Sequence, residues 1–141
     1  MRIVSTGGIE ICARCVHART APARLRGLLG RAPLEPGSGL LLDPCSSVHT
    51  CLLRRPLDVV FLHADGTVLR IVHGLRPWRC ALRRGARSAL ELPPGTCARL
   101  GIAAGDRLLT VAAASPVNGD GRRTGGSATG SSAAATPGRP W

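Results

Sequence analysis

Pro56-Leu-Asp-Val-Val-Phe-Leu-His-Ala-Asp-Gly-Thr-Val-Leu-Arg-Ile-Val-His73 is the stretch on which the fold turns. Two β-branched runs flank Asp65-Gly66, and a two-residue Asp-Gly loop predicts a hairpin closed by a type I′ turn, whose twist matches the strands it joins. Register follows from that turn. Ala64 faces Thr67, Leu62 pairs with Leu69, Val60 with Ile71 and Asp58 with His73 on one face; Phe61 with Arg70 and Val59 with Val72 occupy the other. The face carrying Leu62 and Val60 is the better core candidate, and an Asp58 to His73 contact is expected at its margin. His63, beside the turn, is expected to face solvent.

Upstream, residues 9 to 16 alternate Ile9, Ile11 and Ala13 against Glu10, Cys12 and Arg14, the period of a half-buried strand. A short helix follows, with Thr20 as cap, Pro22 in its first turn, Leu25, Leu28 and Leu29 as an apolar stripe, and Gly30 as its end. Arg24 and Arg31 lie seven apart and project from one side. Leu40 to Leu42 reads as a buried strand before Asp43-Pro44, and another strand is expected between Ser47 and Leu53.

Downstream, Leu75-Arg76-Pro77-Trp78 is a bend, with Trp78 expected to pack inward and a strand from there to Leu82. Ser88 to Leu92 alternates as a strand and stops at Pro93-Pro94-Gly95. Thr96 caps a single helical turn ending at Gly101, and the last strand runs from Arg107 to Ala113. From Ser115 the composition turns to Gly, Ser, Ala, Thr and Pro, which predicts a disordered tail over 115–141 after a compact domain over 1–114. The expected class is mainly β: a small barrel-like domain with two short α-helices.

Composition narrows the function classes. The chain has 141 residues, which allows one domain of modest core and excludes separate cofactor and substrate modules. No run approaches the roughly 18 apolar residues of a membrane span. The first 25 residues hold Arg2, Glu10, Arg14, Arg19 and Arg24 and no apolar core of a secretory signal, so the expected location is the cytoplasm. Net charge is +11, and every basic residue is arginine. The arginines are dispersed with no basic block, which predicts non-specific nucleic-acid binding at low salt and nothing more specific.

Cys12, Cys15, Cys45, Cys51, Cys80 and Cys97 form a disulfide-scaffold count, but in a cytoplasmic chain they read as reduced thiols. Cys12 and Cys15 are the one close pair and weak metal candidates, because a four-cysteine zinc site wants a second pair at similar spacing.

Six ordered motifs carry a resemblance: Arg24-Leu-Arg-Gly-Leu-Leu-Gly-Arg31, Cys45-Ser-Ser-Val-His-Thr50, Arg55-Pro-Leu-Asp-Val-Val-Phe-Leu-His-Ala-Asp-Gly66, Leu75-Arg-Pro-Trp78, Gly85-Ala-Arg-Ser-Ala-Leu-Glu-Leu-Pro-Pro-Gly-Thr96 and Gly105-Asp-Arg-Leu108. Over residues 9 to 112 the chain resembles the bacterial and archaeal family named domain of unknown function 192. The resemblance implies a compact, mostly β barrel-like domain, and no established activity, substrate or cofactor. After the His-Thr pair the family carries aromatic and methionine residues, where this chain has Cys51-Leu52-Leu53. Smaller side chains there leave space unless neighbours compensate.

Chemistry, if the domain performs any, is expected where Cys45, His49 and Asp58 converge, with Arg24 or Arg87 supplying positive charge. A thiolate nucleophile needs a nearby imidazole and a carboxylate to orient it. Cys45 and His49 also offer two metal ligands, which Cys12 and Cys15 from an adjacent strand complete. Glu91, between Leu90 and Leu92, points away from the face those residues bury; if it is buried, Arg87 is the expected counter-ion. No motif completes a catalytic set and no cofactor is implied. The preferred class is a non-enzymatic accessory or small-ligand-binding domain with an unidentified partner, and the alternative is a thiol- or metal-dependent activity at Cys45 and His49.

Overall fold

The computed structural model describes residues 1–112. The strands are β1 (Arg2–Ser5), β2 (Glu10–Cys12), β3 (Arg14–Ala18), β4 (Ser38–Leu42), β5 (Ser47–His49), β6 (Leu57–Leu62), β7 (Val68–Leu75), β8 (Cys80–Leu82), β9 (Ser88–Leu92) and β10 (Leu108–Val111); the helices are α1 (Ala21–Arg26) and α2 (Thr96–Leu100). The mainly β class with two short helices is as expected. The strands form separate sheets of order β10-β1-β2, β3-β4-β9-β6-β7 and β5-β8, and they do not close into a barrel. The expected tail falls outside the described residues.

The five-stranded sheet is the middle layer. Every residue of β6 and of β9 is buried, so both faces of these strands are covered. On one face Val60, Leu62, Leu90 and Leu92 pack with Ile3 of β1, Ile11 of β2 and Leu108 of β10. On the other, Val59, Phe61 and Ala89 pack with Leu28 after α1, Val48 of β5 and Ala81 of β8. The two faces of the hairpin therefore do not divide into core and solvent.

The hairpin register holds in its middle: Val59 pairs with Val72, Val60 with Ile71 and Phe61 with Arg70. Both ends slip. At the turn, His63 N–H donates to Thr67 O and Gly66 N–H to His63 O, so the loop is one residue longer than Asp65-Gly66 alone and Leu62 faces Val68. Asp65 Oδ1 accepts from Thr67 N–H at 2.9 Å, which stabilises the wider loop. Gly66 has φ 88°, and a Cβ there would stand 2.2 Å from Leu108 O, so no other residue fits.

At the other end the ladder shifts between Leu57 and Val59, and this overturns the expected Asp58 to His73 contact. Asp58 is fully buried; its Oδ1 accepts from Gly74 N–H and its Oδ2 from Cys97 N–H, each at 2.9 Å. His73 is exposed. The carboxyl thus links β6 to its sheet neighbour β7 and to the first turn of α2, where it is a remote substitute for the side-chain cap that Gly95 lacks.

Other local expectations divide in the same way. Thr20 Oγ1 accepts from Ala23 N–H, as a cap should, but α1 stops at Gly27 and the leucine stripe dissolves: Leu28 is buried in the following turn while Leu25 is 76% exposed. Residues 9 to 16 are not one strand, because the chain bends at Ala13 and passes from the outer sheet into the middle one. Beyond His49 the predicted strand ends, and the buried Thr50 hydroxyl donates to the carbonyls of Arg76 and Arg79. That clamp turns Trp78 outward at φ 61°, 61% exposed, against the packing expected of it.

Asp58→Ala leaves the buried Cys97 N–H and the part-buried Gly74 N–H without an acceptor and is expected to lower unfolding free energy by about 2–4 kcal/mol. Chemical denaturation checks this, with His73→Ala expected to change stability by less than about 0.5 kcal/mol.

Candidate functional site

The strand period puts Glu91 on the face of β9 shared with Ala89, where its neighbours across the sheet are Leu40 and Val59. The residue is 3% exposed, and its Oε2 is buried without a hydrogen-bond partner. Burial pushes its carboxyl up to about 7. Arg87 does not serve as its counter-ion. That guanidinium donates to Asp43 Oδ1 at 2.8 Å, and Asp43 Oδ2 lies 3.5 Å from His17 Nε2.

Glu91 lines a small recess of about 50 Å³ together with Arg24, Arg26, Cys45, Ser47, His49 and Cys51. Three of the residues nominated from sequence, Arg24, Cys45 and His49, thus border one space, brought there by α1 on one side and the segment through β5 on the other. The Cys45 thiol donates to Ser47 O at 2.9 Å, and Arg24 donates to Arg19 O. Burial pushes the Cys45 thiol up; Glu91 adds to this, while the Ser47 backbone and Arg24 oppose it. A thiol held protonated is a poor nucleophile.

Asp58 is elsewhere. Its side chain belongs to the opposite face of the sheet, committed to the Gly74 and Cys97 amides, and burial beside it pushes the Cys97 thiol up to about 12. Arg87 borders a different hollow with His17, Asp43 and His63. His63 is exposed, as expected, and pairs with Asp65 at 3.0 Å.

Cys12 and Cys15 are both buried and in thiol contact; the contact lowers the Cys12 pKa against the effect of burial, while contact and burial together hold the Cys15 proton firmly. They pack in the core of the other face from Cys45. Among the described residues no group of three or more His, Cys, Asp and Glu side chains is arranged to hold a metal.

A larger cleft of about 610 Å³ adjoins the recess, with Leu28 and Leu53 lining both. Its other walls include Leu34, Leu52, Leu57, Pro93 and Pro94, and its charged residues are Arg31, Arg54 and Arg55. Arg31 Nε donates to Gly27 O, and among the described residues none of the three pairs with a carboxylate. Sequence reasoning did not nominate this cleft. Its signal was the Cys51-Leu52-Leu53 run, whose small and aliphatic side chains stand at the recess and the cleft.

These features define a mainly β domain with an open, arginine-edged cleft on one face of its central sheet. The DUF192 family, described as Uncharacterized ACR, matches residues 3–110, and the chain belongs to it. A UPF0127 protein of Pyrococcus furiosus is 36% identical over 64 residues, 45% of this chain; the match spans 54% of that relative's length. Two crystal structures are similar, each with a TM-score of 0.66 over 77% of this chain. One is a protein of unknown function from Novosphingobium aromaticivorans, 25% identical over 82% of its length. The other, described as a candidate transcription regulator from Sinorhizobium meliloti, is 28% identical over 89% of its length. No helix among the described residues is long and apolar enough to cross a membrane.

The buried acid sets a pH dependence. Glu91 is raised from 4.5 to about 7, so the folded state holds its proton more tightly, and stability falls as pH rises between those values. The displacement corresponds to roughly 3 kcal/mol. Denaturant unfolding of wild type and Glu91→Gln across this window is expected to show the variant gaining on wild type by that order, with the gap complete above pH 7.

Proposed function

We propose that this domain binds a small molecule made of an apolar body and an anionic group, and performs no chemistry on it. The observation that carries the reading is the cleft of about 610 Å³, within the roughly 300–1,000 Å³ typical of small-molecule sites. Leucine and proline walls offer apolar contact, while among the described residues its charged groups are Arg31, Arg54 and Arg55, all of one sign. A guanidinium supplies a planar fork that matches a carboxylate or phosphate.

The polar groups nearby argue for binding over catalysis. Cys45 is held protonated, and Asp58 is bonded to backbone on the far side of the sheet. All six cysteines are free thiols, which supports a reducing compartment such as the cytoplasm.

Titration calorimetry with a medium-chain fatty acid and the alcohol of equal length tests the reading. The acid is expected to bind more tightly than the alcohol, and Arg54→Ala with Arg55→Ala to weaken the acid about tenfold while leaving the alcohol unchanged. Failure of both to bind, or equal loss of both in the double variant, contradicts the proposal.

A further inference from the structure

We propose that the recess at Glu91 is the polar terminus of this ligand site and accepts a hydroxyl group carried at the end of the ligand's apolar body. The inference rests on the cleft being a ligand site, and it specifies the ligand further: an anionic group at one end, an aliphatic stretch, and a hydroxyl at the other.

Contiguity comes first. Leu28 and Leu53 line both spaces, so an aliphatic chain lying on them in the cleft leads toward the recess. Size comes second. At about 50 Å³ against about 610 Å³ for the cleft, the recess is the narrow end of the site and has room for a terminal hydroxyl.

Hydrogen bonding decides the chemistry. Glu91 Oε2 is buried and unpartnered, in a molecule whose other buried carboxyl, Asp58, has both oxygens bonded. Of the recess's other polar groups, the Cys45 thiol reaches Ser47 O, Arg24 reaches Arg19 O and Arg26 reaches Leu29 O, while Ser47 and His49 are exposed to water, which leaves Glu91 as its buried unpartnered carboxyl. Glu91 is therefore the acceptor that an incoming O–H meets. A hydroxyl suits the carboxyl in either protonation state, donating to the carboxylate or accepting from the acid.

Charge excludes the other common donor. Arg24 and Arg26 border the recess from α1, facing Cys45, His49 and Cys51 across it, with Glu91 on the sheet. Two guanidinium groups disfavour an ammonium there and leave a neutral hydroxyl unaffected.

The test compares binding of a medium-chain fatty acid, its ω-hydroxy counterpart and its ω-methoxy counterpart to the full chain by calorimetry. Above pH 7, where the Glu91 carboxyl is ionised, the ω-hydroxy acid is expected to bind about tenfold more tightly than the parent acid, whereas the methoxy acid, which cannot donate, gains nothing. Glu91→Leu should abolish the preference while retaining the parent acid, and Glu91→Gln, which keeps an acceptor, should restore part of it. A hydroxyl in an apolar pocket without a partner weakens binding, so equal or weaker binding of the ω-hydroxy acid overturns the inference while leaving the cleft reading standing. Persistence of the preference in Glu91→Leu overturns it as well. If none of the three acids binds, the cleft reading fails and this inference falls with it. The wild-type comparison of hydroxy and methoxy acids decides the matter even where a variant does not fold.

Discussion

A sheet covered on both faces has no position along its central strands where a polar side chain reaches water. This constraint governs β6 and β9, whose residues are all buried. Each strand nonetheless carries one carboxyl, Asp58 and Glu91, and the two meet the constraint in opposite ways. Asp58 is resolved within the fold: two backbone N–H groups reach it, and by accepting them it reinforces the pairing of β6 with β7 and joins α2 to the sheet. Glu91 is left with a buried oxygen that nothing among the described residues bonds. An unmet buried acceptor lowers stability. It is expected where a protein meets something other than itself, which is why the recess and the cleft beside it carry the functional argument.

The same contrast explains how charge is arranged around the sheet. Arg87, a plausible partner for Glu91 by sequence position, instead pairs with Asp43. Three other arginines edge the cleft without a carboxylate partner among the described residues. Anion-binding capacity therefore stands at the wide cleft, and an unmet acceptor stands at the narrow recess, separated by the aliphatic surface of Leu28 and Leu53. Such polarity along one face suits a molecule with two different polar ends.

Local rules made much of this fold legible. A short apolar run placed β4 and alternation placed β9, the turn residues placed the hairpin, and the middle of its register followed; Thr20 and Gly101 bound helices because their roles need only neighbours in sequence. What failed depended on distant contacts. The turn widened around the Asp65 side chain and against Leu108 O, and Asp58 was drawn to Cys97, 39 residues away. The sequence favoured one hairpin face as the core candidate; layers from β1, β2 and β10 on one side and from β5 and β8 on the other make both faces of β6 buried. For the site, Arg24, Cys45 and His49 share a recess, while Asp58 and Arg87 lie apart from it. The direction of Glu91 was readable from Leu90 and Leu92; its lack of a partner was not, because that depends on where every arginine goes.

The account stands on the state of the Glu91 carboxyl, which carbon-detected NMR observes directly through its side-chain carbonyl resonance as pH is varied. Burial without a partner predicts a titration midpoint near 7 in the free protein. A midpoint in the ordinary range for glutamate, near 4.5, would place the carboxyl in water or in a satisfied hydrogen-bond network and contradict the claim that the recess presents an open acceptor.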